Sequence, residues 1–317
     1  MIRRIVGAIA ILVVALIAAA AWLLHAPRPA PATAPVEVQT VEVGGHPRRY
    51  LVVTPTPLRA DSSVLLVYHP SQSSGADMRR LAGATLERIA QRAHAVVVYP
   101  DGHEGHFNDC RRVASFSARR LDVDDVGFSR RIVERLAAQG RIDPSRVYAL
   151  GVSNGGQMAL RLALEAPDLV RGVAAIAANL PTPQNMACQP ASTPIRRVVL
   201  VEGTRDPINP YGGGRVTLFG FGDRGDVLSA QASAQWFADR LGLSATPPTV
   251  LATDPSGMTA HRQDWRSGQG HVRLVSIDGG GHTLPQAGYR AMRLLGATFQ
   301  SDAVLESTWQ LLADNAP

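Results

Sequence analysis

Gly151-Val152-Ser153-Asn154-Gly155 fits the pattern G-x-S-x-G, which places a serine hydroxyl between two glycines. It directly follows the apolar run Val147-Tyr148-Ala149-Leu150 and directly precedes Gly156-Gln157-Met158-Ala159-Leu160, which has helical spacing. A strand, a sharp turn and a helix in that order form a nucleophile elbow, and the flanking glycines let strand and helix approach closely. A serine hydroxyl is a weak nucleophile until a base takes its proton, and the base needs an acid to orient it. In this setting the chain order is serine, acid, histidine. Three histidines follow Ser153: His261, His271 and His282. His282 stands in Asp278-Gly279-Gly280-Gly281-His282-Thr283, just past an apolar run, where a loop would carry an imidazole to a sheet edge. His271 precedes that run and His261 lies in a polar stretch, so both fit less well. Asp206 follows another apolar run in Val201-Glu202-Gly203-Thr204-Arg205-Asp206. Glu202 is nearer that run and is expected to point elsewhere, and Asp223, Asp226 and Asp254 lack a strand-end context. The expected set is therefore Ser153, Asp206 and His282. An oxyanion would be met by the Asn154 N–H at the helix start and by one N–H from His69-Pro70-Ser71-Gln72. Proline has no N–H to give, so Ser71 or Gln72 is the expected second donor.

These residues need a sheet to hold them at one edge. Residues 64–68, 95–99, 146–150, 173–177, 197–201 and 272–277 are short apolar runs, read as buried strands. Residues 81–93, 124–138, 155–166, 229–241 and 303–313 have helical spacing. Alternating elements of this kind make an α/β chain with a mostly parallel sheet covered by helices on both faces. Residues 36–43 and 49–54 flank Gly44-Gly45 and predict an antiparallel hairpin at one edge. Asp124-Asp125 reads as the start of a helix, where carboxylates offset the dipole.

The first residues read differently. Arg3-Arg4 precedes an uncharged stretch over 5–24, long enough for a spanning helix, in which the run Ala18 to Ala21 offers small residues a signal peptidase could use. Residues 1–25 are therefore expected to be a signal anchor or a cleaved signal peptide, with export to the periplasm or the exterior. Residues 26–35, rich in proline and alanine, read as a stiff linker, and 36–317 as one domain. Export permits a disulfide between the two cysteines, Cys110 and Cys188, against the alternative of two free thiols.

Composition closes off other chemistries. The chain has 317 residues, 45% hydrophobic, enough for a packed core, and a net charge of +6. All 32 basic residues are arginine, so no Schiff base, Ser–Lys dyad or P-loop lysine can form. The arginines are scattered, which fits a solvated surface and no nucleic-acid partner. Aromatics at 5% argue against stacking platforms for single strands or sugars. His103-Glu104-Gly105-His106 lacks metal-ligand spacing. Gly220-Phe221-Gly222-Asp223-Arg224-Gly225 matches a dinucleotide fingerprint without its βαβ setting, and Arg224-Gly225-Asp226 is a chance tripeptide.

Several stretches in order resemble the esterase/polyhydroxybutyrate depolymerase family, which includes feruloyl- and acetylxylan-type esterases. They are Tyr99-Pro100-Asp101-Gly102, Phe107-Asn108-Asp109, Val123-Asp124-Asp125-Val126-Gly127-Phe128, Ser153-Asn154-Gly155-Gly156, Gly203-Thr204-Arg205-Asp206 and Gly280-Gly281-His282-Thr283. The resemblance implies an α/β-hydrolase fold and an exported ester hydrolase, with Ser153, Asp206 and His282 as its triad. It implies small-molecule or oligomeric ester substrates, short-chain or hydroxyalkanoate first, then feruloyl or acetyl esters. No cofactor is needed, and a membrane partner follows only if the N-terminal segment is retained. The family usually has glycine where this chain has Pro70, often tryptophan where it has Phe107, and His-Thr-Trp-Pro where it has His282-Thr283-Leu284-Pro285. The other readings are an acyltransferase or a non-catalytic envelope protein of the same fold.

Overall fold

The computed structural model describes residues 2–27, 29–268 and 270–313. In chain order the elements are α1 (Ile2–Leu24), β1 (Glu37–Val43), β2 (His46–Val53), β3 (Ser63–Tyr68), α2 (Gly75–Arg92) and β4 (Ala95–Pro100). Then come α3 (Ser117–Arg120), α4 (Asp125–Ala138), β5 (Val147–Val152), α5 (Asn154–Glu165), β6 (Gly172–Ile176) and β7 (Arg197–Gly203). The last are β8 (Gly214–Arg215), β9 (Asp226–Val227), α6 (Ala230–Leu241), β10 (Ser244–Ala245), β11 (Thr249–Thr253), β12 (Thr259–Ser267), β13 (Gly270–Ile277) and α7 (Ala303–Ala313).

The main sheet runs β1-β2-β4-β3-β5-β6-β7-β13-β12-β10, with β11 also on β12. The strands from β4 to β13 are mutually parallel, and the β1–β2 hairpin joins β4 antiparallel as expected. The opposite edge is antiparallel too, and the sequence reading missed it. β12 carries Arg262, Gln263 and Asp264 instead of an apolar run. It is held by the directly opposed pair Asp264 and Arg273, bonded at 2.6 Å, and by buried Trp265.

Alternation along each strand feeds two cores. Val64, Leu66 and Tyr68 face Phe128, Met158 and Phe237 of α4, α5 and α6. Leu65 and Val67 face Met78, Leu86, Val304 and Leu312 of α2 and α7. Helix α2 starts six residues earlier than its apolar spacing predicts, because Ser74 caps it by accepting from the Asp77 N–H at 3.1 Å. Asp124 caps α4 through the Gly127 N–H at 2.7 Å. Residues 25–27 and 29–35 have no regular structure, and Arg79 of α2 donates to the Ala34 carbonyl at 2.6 Å. Among the described residues no helix is long and apolar enough to cross a membrane. The expectation for residues 5–24 falls partly on side chains outside that description.

Two features fix the loops above the sheet. His69, next after β3, is fully buried. Its Nε2 accepts from the Gly102 N–H at 2.8 Å, so Nδ1 carries the proton and donates to the Pro70 carbonyl at 2.7 Å. Burial lowers its pKa from 6.5 to about 4. Cys110 and Cys188 form a disulfide across a sequence separation of 78. The neighbouring Ala187 N–H donates to the Cys110 carbonyl at 2.8 Å.

Between pH 6.5 and about 4 the unfolded chain binds a proton that folded His69 refuses. This residue's contribution is therefore complete above pH 6.5 and is lost as pH falls towards 4, by on the order of 3 kcal/mol. Denaturant titrations at pH 7 and 4.5 should show wild type losing about 2 kcal/mol more than His69→Gln. Reducing the disulfide should lower stability by roughly 2–4 kcal/mol, read as a drop in urea midpoint on adding reductant.

Candidate active site

Ser153 sits at the turn between β5 and α5 with φ 56° and ψ −116°. A non-glycine residue in this region stores about 1–3 kcal/mol of strain, and the surroundings enforce it. A Cβ on Gly151 would lie 2.0 Å from the Gly155 carbonyl oxygen, and one on Gly155 would lie 2.2 Å from that of Tyr68. Only glycine permits that approach of helix to strand. The Ser153 N–H donates to the Ile176 carbonyl at 2.8 Å, which ties the turn to β6.

Asp206 follows β7 and His282 follows β13, and both side chains are buried. The His282 Nδ1 stands 2.7 Å from the Asp206 Oδ2. The Asp206 Oδ1 accepts the backbone N–H groups of Ile208 and Asn209, each at 2.8 Å. With Nδ1 donating to the carboxylate, Nε2 is left as the imidazole's basic nitrogen. Ser153 and His282 line one narrow cleft with Gln157, Ile208, Asn209, Val216, Leu218, Arg111 and Arg224. The glycine run before His282 is not a slack turn. A Cβ on Gly281 would lie 2.1 Å from the Leu295 carbonyl oxygen, and the His282 N–H donates to that same carbonyl at 2.7 Å.

The loop after β3 stands beside the start of α5. The Gln72 N–H is spent on the Gly105 carbonyl at 2.9 Å, which leaves Ser71 of the two expected donors. Asn154 is fully buried. Its carboxamide accepts from the Phe107 N–H at 2.8 Å and donates to the Phe107 carbonyl at 3.0 Å and the Asp109 Oδ2 at 2.7 Å. Phe107 itself packs on His69 with ring centroids 4.5 Å apart and is buried, so it forms no cleft wall. The Asp109 carboxylate also holds buried Arg111 at 2.5 Å.

The other carboxylates and histidines are occupied elsewhere. Glu202 is buried, accepting from the Ala178 N–H at 2.9 Å and the Asn209 Nδ2 at 3.0 Å, and burial pushes its pKa well up. His261 pairs with Asp278 on the β12 edge, and His271 pairs with Asp264. Asp223 and Asp226 pair with Arg215, and Asp254 accepts from Ser256, Met258 and Gln300. His103 to His106 form a tight turn in which His106 stacks on Phe116. The stretch 220–225 lies on a turn between β8 and β9. Gln157, Arg111 and Arg224 are cleft residues that sequence reasoning missed, because no local pattern marks them.

Comparisons with known proteins bear on the family. The Phospholipase/Carboxylesterase family matches residues 126–233. A protein of Nocardia uniformis subsp. tsuyamanensis, named "Putative esterase NocK", is 31% identical over 270 residues, 80% of this chain and 75% of its own length. "Feruloyl esterase B" of Piromyces equi is 26% identical over 239 residues, and a "Poly(3-hydroxybutyrate) depolymerase" of Ralstonia pickettii is 29% identical over 126. The chain spans only 42% and 26% of those two longer proteins. The fold matches an acetyl xylan esterase from Aspergillus awamori at TM-score 0.52 and 14% identity, over 78% of this chain and 95% of that one. An elbow serine, a buried Asp–His pair at the same sheet edge and a relative matched along three quarters of its length lead to one conclusion: the chain belongs to the esterase family of α/β-hydrolases.

Proposed function

We propose that the chain hydrolyses carboxylic esters through an acyl-enzyme on Ser153. The observation that carries this reading is the 2.7 Å Asp206–His282 pair beside the strained serine in one cleft. His282 Nε2 takes the Ser153 proton as Oγ attacks the ester carbonyl, and Asp206 stabilises the imidazolium that results. The Asn154 and Ser71 N–H groups receive the oxyanion. His282 then gives its proton to the leaving alkoxide, and the alcohol departs. Water, deprotonated by the same nitrogen, attacks the acyl group and releases the acid and a restored serine.

Short-chain or hydroxyalkanoate-oligomer esters fit best. Ile208, Val216 and Leu218 give the cleft aliphatic walls, and Phe107 is withdrawn beneath His69. Feruloyl or acetyl-xylan esters are the second reading, favoured by the names of the relatives. Export is part of the proposal. The disulfide suits an oxidising compartment, and Arg3-Arg4 before the uncharged stretch 5–24 suits a leader that is cleaved or kept as an anchor.

The test is turnover of p-nitrophenyl acetate and butyrate by the full chain beside two variants. Ser153→Ala should lose at least roughly a thousandfold in kcat/KM, and Asp206→Asn a comparable factor through the wrong imidazole tautomer. A folded wild type no faster than Ser153→Ala would point instead to a non-catalytic protein. Adding an alcohol acceptor separates hydrolysis from acyl transfer by the product formed.

A further inference from the structure

One side chain in the cleft wall has no role in the steps above. Arg224, on the segment between β8 and β9, is 8% exposed and lines the cleft with Ser153 and His282. Its backbone is fixed on both sides. The N–H donates to the Val216 carbonyl at 3.0 Å, and the carbonyl accepts from the Asn185 Nδ2 at 2.9 Å. The guanidinium lies over the Phe116 ring at 5.7 Å, and its NH1 donates to the Ser71 Oγ at 3.1 Å. Its Nε is buried with no hydrogen-bond partner among the described residues.

A buried guanidinium normally faces a carboxylate, because taking the charge out of water is costly. Here each neighbouring carboxylate is engaged elsewhere. Asp109 takes Arg111 and the Asn154 amide, Asp206 takes His282, and Asp223 and Asp226 take Arg215. Arg111, on the same wall, has its charge matched by Asp109. Desolvation lowers the Arg224 pKa to about 10, so the group stays charged at neutral pH. Gln157 Oε1, in the same wall, is a buried acceptor without a donor among the described residues.

We propose that the Arg224 guanidinium, held in the wall of the Ser153–His282 cleft without a carboxylate of its own, binds a free carboxylate on the substrate. This rests on the esterase reading and narrows its substrates to esters that keep one acid group ionised. The carboxyl-terminal end of a hydroxyalkanoate oligomer has that chemistry, and the free hydroxyl at the oligomer's other end would suit the Gln157 acceptor. Capping the acid as a methyl ester removes the charge and leaves the rest of the molecule unchanged.

The probe is the dimer of 3-hydroxybutyrate, as free acid and as methyl ester, titrated calorimetrically into the Ser153→Ala full chain so that neither is consumed. The free acid should bind roughly ten- to hundredfold more tightly, the worth of one charge-assisted hydrogen-bonded pair. Ser153→Ala with Arg224→Gln should lose that preference, and Ser153→Ala with Arg224→Lys should keep part of it. The lysine variant decides the question if the glutamine variant does not fold. Equal binding of acid and methyl ester, or no binding of either, overturns the proposal. Wild-type turnover of p-nitrophenyl butyrate reads the esterase activity separately, so a failed carboxylate site and a failed esterase reading give different results.

Discussion

The site depends on how near the first turn of α5 comes to β3. With no Cβ at Gly155, the helix start closes on the Tyr68 carbonyl, and Ser153 is forced into its positive φ. That closeness also buries Asn154, whose carboxamide can then satisfy both backbone groups of Phe107 and reach Asp109. The loop that follows β4 is thereby registered against the Ser153 turn. The disulfide extends this registry outward, since Cys110 follows Asp109 directly and its partner Cys188 lies between β6 and β7.

A second buried network fixes Asp206. Asn209 donates its N–H to Asp206 and its side-chain amide to Glu202, while the Glu202 carboxyl reaches back to the Ala178 N–H. The loop after β7 is thus held at both ends, and Asp206 meets His282 without freedom to turn away. Buried polar groups satisfied this completely give geometric definition more than net stability. The Glu202 carboxyl, neighbour to Asp206, serves as a connector within this loop.

Much of this arrangement was legible in the sequence. The apolar runs marked the parallel strands, and strand-end placement singled out Ser153, Asp206 and His282 from other serines, acids and histidines. Helix α2 was read short because its first two turns depend on the Ser74 cap instead of an apolar stripe. β12 was missed because its partner across the sheet, Arg273, supplies the charge that makes a polar strand stable there. Phe107, where the family often has tryptophan, packs against the His69 imidazole. Arg224 sat in a tripeptide with no local meaning. Its place in the cleft comes from hydrogen bonds to Val216 and Asn185, which sequence spacing does not encode.

Four buried or half-buried ion pairs share a chemical trait. Arg48 with Asp125, Arg79 with Glu87, Arg111 with Asp109 and Arg273 with Asp264 are all guanidinium pairs. A guanidinium keeps its proton far into alkaline solution, where an ammonium would surrender it. It is also a poor nucleophile towards an activated acyl group. With no lysine anywhere, the chain offers no side-chain amine to such a group on its own surface.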